Sequence, residues 1–270
     1  MTFIGTGRLA RTVVPMLQDS GWRVTLVSSR DQPTAQAAAD TARLVWLTVS
    51  DDAIAPLCRQ LRWRPDQIVV HCSGATERSA LDAAAAAGAT TAGFHPLQIF
   101  SDPQRARATL PGSTVAIECE AADEALLQAV AAALRLQPIR LPAGARARYH
   151  AAAGFAASFL LPALHEAVGL WRSFGLDEAA ALQALLPLAR GTLEAVSARG
   201  TAGALSGPIS RGDLGVIERH LQALDALGPT HGALYRVLSL YQLDLARQSG
   251  RLSPEQIEAI RQHLEQTPAH

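Results

Sequence analysis

The chain has 270 residues and no formal net charge, 24 basic side chains balancing 24 acidic ones; that is room for two domains, without the basic stripe nucleic-acid binding needs. Hydrophobic residues make up 49% and charged residues 18%, which excludes a disordered chain. It contains neither lysine nor asparagine, so no Schiff base, lysine acid or asparagine carboxamide enters any mechanism.

Residues 1–4 form a short apolar run into a glycine turn, as if the start lay a few residues inside a longer ancestral one. Residues 8–20 have helical spacing, with Leu9, Val13, Val14 and Leu17 on one side. Residues 23–27 read as a strand, 34–42 as a helix, and 44–49 as a strand apolar on both faces. A helix at 52–61, a strand at 68–71 and an alanine-rich helix at 79–87 follow. Strands are expected at 91–94 and 114–117, separated by a loop at 95–112, then a helix at 123–136 and a last strand at 137–141. The alternation predicts an α/β fold with a doubly wound, mostly parallel Rossmann sheet. Beyond Pro142-Ala143-Gly144 the pattern is all-α: helices at 146–174, 177–199, 213–227, 230–248 and 254–266, the first kinked at Pro162. The expected domains are 1–143, cofactor-binding, and 144–270, helical, for substrate and dimerisation.

Cys58, Cys72 and Cys119 are scattered and odd in number, which suggests a reducing compartment. Residues 1–5 do not resemble a signal peptide. The most apolar run, 151–164, is short of the ~20 residues that span a bilayer and reads as a buried helix. The expectation is a cytoplasmic protein with no membrane or nucleic-acid partner and no metal site.

Gly5-Thr6-Gly7-Arg8-Leu9-Ala10 fits G-x-G-x-x-A between a strand and a helix, the context a dinucleotide site requires. Gly5 permits the turn, Gly7 leaves room for the pyrophosphate, and Ala10 lets the helix pack against the strand. The second strand ends Val27-Ser28-Ser29-Arg30, where an NAD site usually has a carboxylate; two hydroxyls and a guanidinium suit a 2′-phosphate and favour NADP(H). The alternative is a solvated loop arginine. Thr48, Val49, Ser50, Ser73 and Gly74 follow strand ends and are expected along the cofactor. Asp51 or Asp52 reads as a helix N-cap and His71 as a structural histidine. His95, fixed by Pro96, suits an acid, a base or a neutral hydrogen-bond donor, or it caps the strand. His150 leads as proton donor, against a packing role; on one continuous helix Ser158 and His165 would share its stripe, at about 80° and 60° from it. Gln98, Ser158 and Arg211 are candidate substrate contacts. Arg211, in a glycine-bracketed loop before the N-cap Asp213, suits a substrate carboxylate or an ion pair.

With these residues in hand, the chain resembles a group of bacterial proteins that join a Rossmann-like domain to a helical domain of unknown function. The matching segments include Gly5–Ala10, Ser28-Ser29-Arg30, Leu47-Thr48-Val49-Ser50-Asp51-Asp52-Ala53-Ile54, His71-Cys72-Ser73-Gly74-Ala75, His95-Pro96-Leu97-Gln98, Tyr149-His150-Ala151-Ala152, Gly191-Thr192-Leu193-Glu194 and Gly207-Pro208-Ile209-Ser210-Arg211-Gly212-Asp213. The group looks like a branch of the 6-phosphogluconate-dehydrogenase-like class, with pyrroline-carboxylate reductase, ketopantoate reductase, prephenate dehydrogenase and deazaflavin-dependent NADP reductase as relatives. The resemblance implies NADP binding and a homodimer built through the helical domains. Two departures stand out. The family's Ser-Asn-Tyr is Ser158-Phe159-Leu160 here, and the lysine used by ketopantoate reductases is missing, with His150 in roughly its region.

The expected function is an NADP(H)-dependent oxidoreductase acting on a small carbonyl or imine with a carboxylate, resembling a 2-oxo acid. Arg211 would anchor the carboxylate, and His150 or His95 would supply the proton. The rivals are a non-catalytic NADP(H)-binding sensor or assembly protein and a flavin- or deazaflavin-linked NADP reductase.

Overall fold

The computed structural model describes residues 1–266, which form two compact units, Met1–Ser158 and the residues from Phe159 onward. In chain order the first unit contains β1 (Thr2–Ile4), α1 (Arg8–Asp19), β2 (Thr25–Val27), α2 (Gln32–Asp40), β3 (Leu44–Leu47), α3 (Asp51–Gln60) and β4 (Ile68–His71). A 3-10 turn (Arg78–Leu81), α4 (Asp82–Ala86), β5 (Thr90–Pro96), α5 (Pro103–Thr109), β6 (Thr114–Glu118), α6 (Glu124–Ala133), β7 (Gln137–Arg140) and α7 (Arg146–Ala156) complete it.

The strands form one seven-stranded sheet in the order β2-β1-β3-β4-β5-β6-β7. Every pairing is parallel except the antiparallel one of β5 with β6. Strands β3 and β4 are buried at every residue, which is why they read as unbroken apolar runs. Alternate side chains feed two cores: Phe3, Trp46, Val70 and Phe94 on one face, Ile4, Val45, Leu47 and Val69 on the other. Phe3 stacks on Trp46 at 5.1 Å between ring centroids, and Phe94 meets Trp46 edge-on at 5.0 Å. Burying each such side chain contributes roughly 1.5–3 kcal/mol. The chain runs outward from β1 to β2, then returns to the other side of β1 with β3. That reversal opens a crevice beyond the carboxyl ends of β1 and β3.

The segment expected to be a loop at 95–112 is more structured. Strand β5 continues through His95 and Pro96, and α5 follows, opened by the Asp102 carboxylate accepting from the Gln104 and Arg105 amides with Pro103 in the first turn.

The second unit is helical: α8 (Leu160–Ser173), α9 (Glu178–Ala204), α10 (Pro208–Arg211), α11 (Leu214–Leu227), α12 (Pro229–Ser249) and α13 (Pro254–Glu265). Leu205, Ile217, Leu221, Leu243, Ile260 and Leu264 form its core. Asp177, Asp213 and Ser253 cap α9, α11 and α13 by accepting from the amides of Ala180, Val216 and Gln256. In place of one kinked helix over 146–174, the chain turns at 157–159 between α7 and α8. Pro162 falls in the first turn of α8, where its missing N–H costs nothing; an unbroken helix would press its ring on the carbonyl of Ser158.

By length and composition, the stretch Arg146–Ser173 is apolar enough to cross a membrane, with a mean hydropathy of 1.4 over its most apolar window. Only 6% of that window is buried, so the expectation of a buried helix at 151–164 is corrected. Leu161, Leu188, Leu193, Val237 and Tyr241 are also exposed on the helical unit.

Candidate functional site

A cleft of about 1030 Å³ opens at the β1–β3 reversal. Gly5, Thr6, Gly7, Arg8 and Leu9 line one wall, Ser28, Ser29 and Arg30 one end, and Thr48, Val49, Ser50, Cys72 and Ser73 the rest, with Ile99 and Phe100 over them. Gly5 lies at φ +118°, and a Cβ there would sit 2.4 Å from the Thr48 carbonyl oxygen. The Thr48 hydroxyl donates to the Gly5 carbonyl at 2.8 Å and fixes the turn to the end of β3. Gly7 is the N-cap of α1, with neither a capping side chain nor an acidic residue in the first turn. The amides at this helix end are therefore open to an anion. Ser28 holds the neighbouring turn by accepting from the Arg30 amide at 3.2 Å. Ala10 is buried against the sheet as the motif requires. These features fit a dinucleotide: a side-chain-free approach, unsatisfied amides for phosphates, and hydroxyls with a guanidinium where a ribose phosphate would lie.

A second set of residues gathers where β4 and β5 end beneath α7. Arg146, fully buried in the first turn of α7, donates from Nε to Glu118 Oε2 at 2.7 Å and from Nη1 to the Ser73 carbonyl at 2.7 Å. Its Nη2 has no hydrogen-bond partner among the described residues and lies where a Cβ on Gly93 would be, 1.7 Å away, so only glycine fits that point of β5. Three and four residues on, the same helix carries Tyr149 and His150. The Tyr149 hydroxyl is 2.9 Å from His95 Nδ1, and the His95 and His150 rings meet edge-on with centroids 6.1 Å apart. Gly74 leaves the space between them: a Cβ there would be 2.7 Å from His150 Cδ2 and 2.9 Å from His95 Nε2. His71 is fully buried, and its Nδ1 accepts from the Ser73 amide at 3.3 Å.

Burial favours the neutral form of His71 and His95. Burial, then the charges of Arg146 and His95, lower His71 to about 3. Burial, then His150 and Arg146, lower His95 to about 4. Burial raises the Tyr149 phenol to about 12 and the Cys72 thiol to about 12, so the sulfur facing the cleft is no nucleophile at neutral pH.

The cofactor candidates from Gly5 to Ser73, apart from the buried Ala10, therefore share one cleft, while His95, His150 and Gly74 form the adjoining cluster. Two helix readings need correction. Ser50 is the N-cap of α3, and Asp51 and Asp52 sit in its first turn, where their charge suits the helix dipole. Ser158 lies in the turn after α7, so the stripe of His150, Ser158 and His165 does not exist as one helix face. Gln98 Nε2 donates to the Thr109 carbonyl and Ser113 Oγ, and Oε1 accepts from the Ile99 amide; its side chain closes its own loop. Arg211 is exposed at the end of α10 in the helical unit. The sequence reading missed Arg146 and Glu118 and gave Tyr149 no role of its own. The available signal was a carboxylate ending an apolar strand and an arginine three residues before Tyr149, hence on the same helix face.

A family model described as a domain of unknown function (DUF2520) matches residues 113–242. No curated protein matches the chain. Among solved structures, protein TM1727 from Thermotoga maritima is similar at a TM-score of 0.74 and 20% identity, covering 92% of this chain and 98% of its own. BF3122 from Bacteroides fragilis, provisionally named an NADP oxidoreductase, is similar at 0.69 and 26% identity, covering 88% and 95%. A reductive aminase from Aspergillus terreus, solved with NADPH and ethyl-5-oxohexanoate, is similar at 0.61 and 16% identity, covering 98% and 91%.

Proposed function

We propose that the chain is an NADP(H)-dependent oxidoreductase acting on a small carbonyl or imine compound that carries a carboxylate. The observation that carries this reading is the cleft at the β1–β3 reversal, where an uncapped helix N-terminus and the Ser28-Ser29-Arg30 end share one surface. The names of the similar structures, which include NADP oxidoreductase and reductive aminase, agree with it. The pyrophosphate would lie against Gly5, Thr6 and Gly7 and the 2′-phosphate against Ser28, Ser29 and Arg30; the bound nicotinamide would supply the hydride chemistry. The chain's own residues then bind, orient and exclude water. His95 and His150, next to Ser73 at the cleft, are the candidate proton donors. On sequence grounds alone Arg211 is the candidate for the substrate carboxylate.

The test is a paired titration with NADPH and NADH, followed by nicotinamide fluorescence. NADPH should bind at least tenfold more tightly, about 1.4 kcal/mol, and Arg30→Ala should erase most of that preference. Binding of neither nucleotide would end the oxidoreductase reading.

We also propose a homodimer through the helical unit, because exposed Leu161, Leu188, Leu193 and Tyr241 leave a large apolar surface on one chain. Sedimentation of a 28.5 kDa species alone, at micromolar concentration, would refute it.

A further inference from the structure

Resting on the oxidoreductase reading, we propose that Tyr149 fixes His95 as its neutral Nε2–H tautomer, so that the site offers a hydrogen-bond donor to a carbonyl oxygen and rejects an iminium ion. A neutral imidazole has one donor nitrogen and one acceptor nitrogen, and which is which is set by its partner. The partner on Nδ1 is the Tyr149 hydroxyl, 2.9 Å away. A phenol is the better donor of the two groups and an unprotonated imidazole nitrogen the better acceptor. The O–H therefore donates to Nδ1, and the ring proton is left on Nε2. The high phenol pKa keeps the proton on Tyr149 across the neutral range.

The Nε2 edge of His95 is the edge that faces Gly74, beside the cleft-lining Ser73, with His150 on the other side of the same gap. The titratable neighbours of the ring are Tyr149, on Nδ1, His150 and Arg146 from α7, and His71 from β4; the Glu118 carboxylate from β6 is engaged by Arg146 Nε. The permanent charge that acts on His95, the Arg146 guanidinium, is positive. A carbonyl oxygen brings lone pairs to accept from Nε2–H and gains negative charge as it is reduced, which this environment stabilises. An iminium nitrogen has no lone pair and brings a further positive charge beside a buried guanidinium. In this arrangement Tyr149 is a positioning residue, acting through the His95 ring.

The first arm of the test needs no cofactor. Long-range 1H–15N correlation spectra of the histidine-labelled full chain at pH 7, with His95→Gln to assign the signals, should show His95 protonated on Nε2 and bare on Nδ1. An Nδ1–H tautomer or an imidazolium would overturn the proposal. Tyr149→Phe should turn the signal into a mixture of tautomers while the His71 signal stays put; an unchanged His95 signal in a folded variant would remove Tyr149 from the account. The second arm adds NADPH and compares pyruvate and 2-oxobutyrate with the carboxylate-bearing iminium N-methyl-1-pyrrolinium-2-carboxylate, reading the His95 Nε2 shift and cofactor oxidation. A response to the 2-oxo acids alone is expected. A response to the iminium, or to none of the three, would overturn the substrate class. Failure of the nucleotide titration would fall on the oxidoreductase reading and leave the tautomer result standing.

Discussion

Arg146→Met is expected to lower the unfolding free energy by about 3–5 kcal/mol, read as a fall in the denaturant midpoint. The size follows from what remains behind. Arg146 is fully buried, and its Nε is the partner of Glu118, whose side chain is 10% exposed. Removing the guanidinium strands that carboxylate and also takes the donor from the Ser73 carbonyl. The loss is therefore mostly the cost of an unpaired buried charge, and not the net worth of the pair. Adding Glu118→Leu should recover most of it, because an apolar pair of similar volume needs no compensation. If the double variant is no more stable than Arg146→Met, the damage comes from the Ser73 carbonyl or the packing on Gly93.

The same experiment has a pH dimension. His71 and His95 stay neutral in the folded chain down to about 3 and about 4, whereas both take up a proton near 6.5 when unfolded. Between about 6.5 and 4 the unfolded state binds more protons, so stability is highest above 6.5 and falls as the pH is lowered through that window. Burial is the first cause of both shifts and the Arg146 charge a lesser one. The slope should become shallower in Arg146→Met without disappearing. A parent protein whose melting temperature is flat from pH 7 to pH 4 would contradict the buried, neutral state of both rings.

The cleft was legible because its signals are local. Gly5-Thr6-Gly7-Arg8-Leu9-Ala10 and Ser28-Ser29-Arg30 each act within a few residues, and the apolar runs at Leu44–Leu47 and Ile68–His71 announce strands buried on both faces. The adjoining cluster depends on long-range pairs. Glu118 and Arg146 are 28 residues apart, Ser73 and Arg146 are 73, and His95 and Tyr149 are 54. An arginine opening an alanine-rich helix reads as solvated until the fold buries it. The helix 146–174 misled for a physical reason as well: a proline reads as a kink until its position in the turn is known. Pro162 sits in the first turn of α8, so the chain breaks before it.

Gly7→Ala and Gly5→Ala should separate the two jobs of the glycine turn. Gly7 has φ −68° and ψ 177°, extended backbone open to any residue, and a Cβ would lie 3.6 Å from the Thr48 carbonyl oxygen, ordinary contact distance. The fold should therefore tolerate alanine there, with a stability change within about 1 kcal/mol. On the proposed function the added methyl projects where the pyrophosphate would approach the helix N-terminus, so NADPH affinity should fall by roughly 100-fold, about 2.7 kcal/mol. Gly5 is the opposite case. At φ +118° its backbone conformation disfavours a side chain, and the Cβ would lie 2.4 Å from the Thr48 oxygen and 2.7 Å from its carbonyl carbon. Those atoms belong to the backbone just after β3 and cannot step aside, so Gly5→Ala should cost about 2–4 kcal/mol in stability before any nucleotide is added. Calorimetry on the nucleotide-free proteins and fluorescence titration on the folded ones read the two effects independently. If Gly7→Ala binds NADPH as tightly as the parent does, the phosphates do not lie at this helix end and the cleft holds something else. If it loses stability as heavily as Gly5→Ala, the turn is a structural element first, and the affinity loss says nothing about where the cofactor sits.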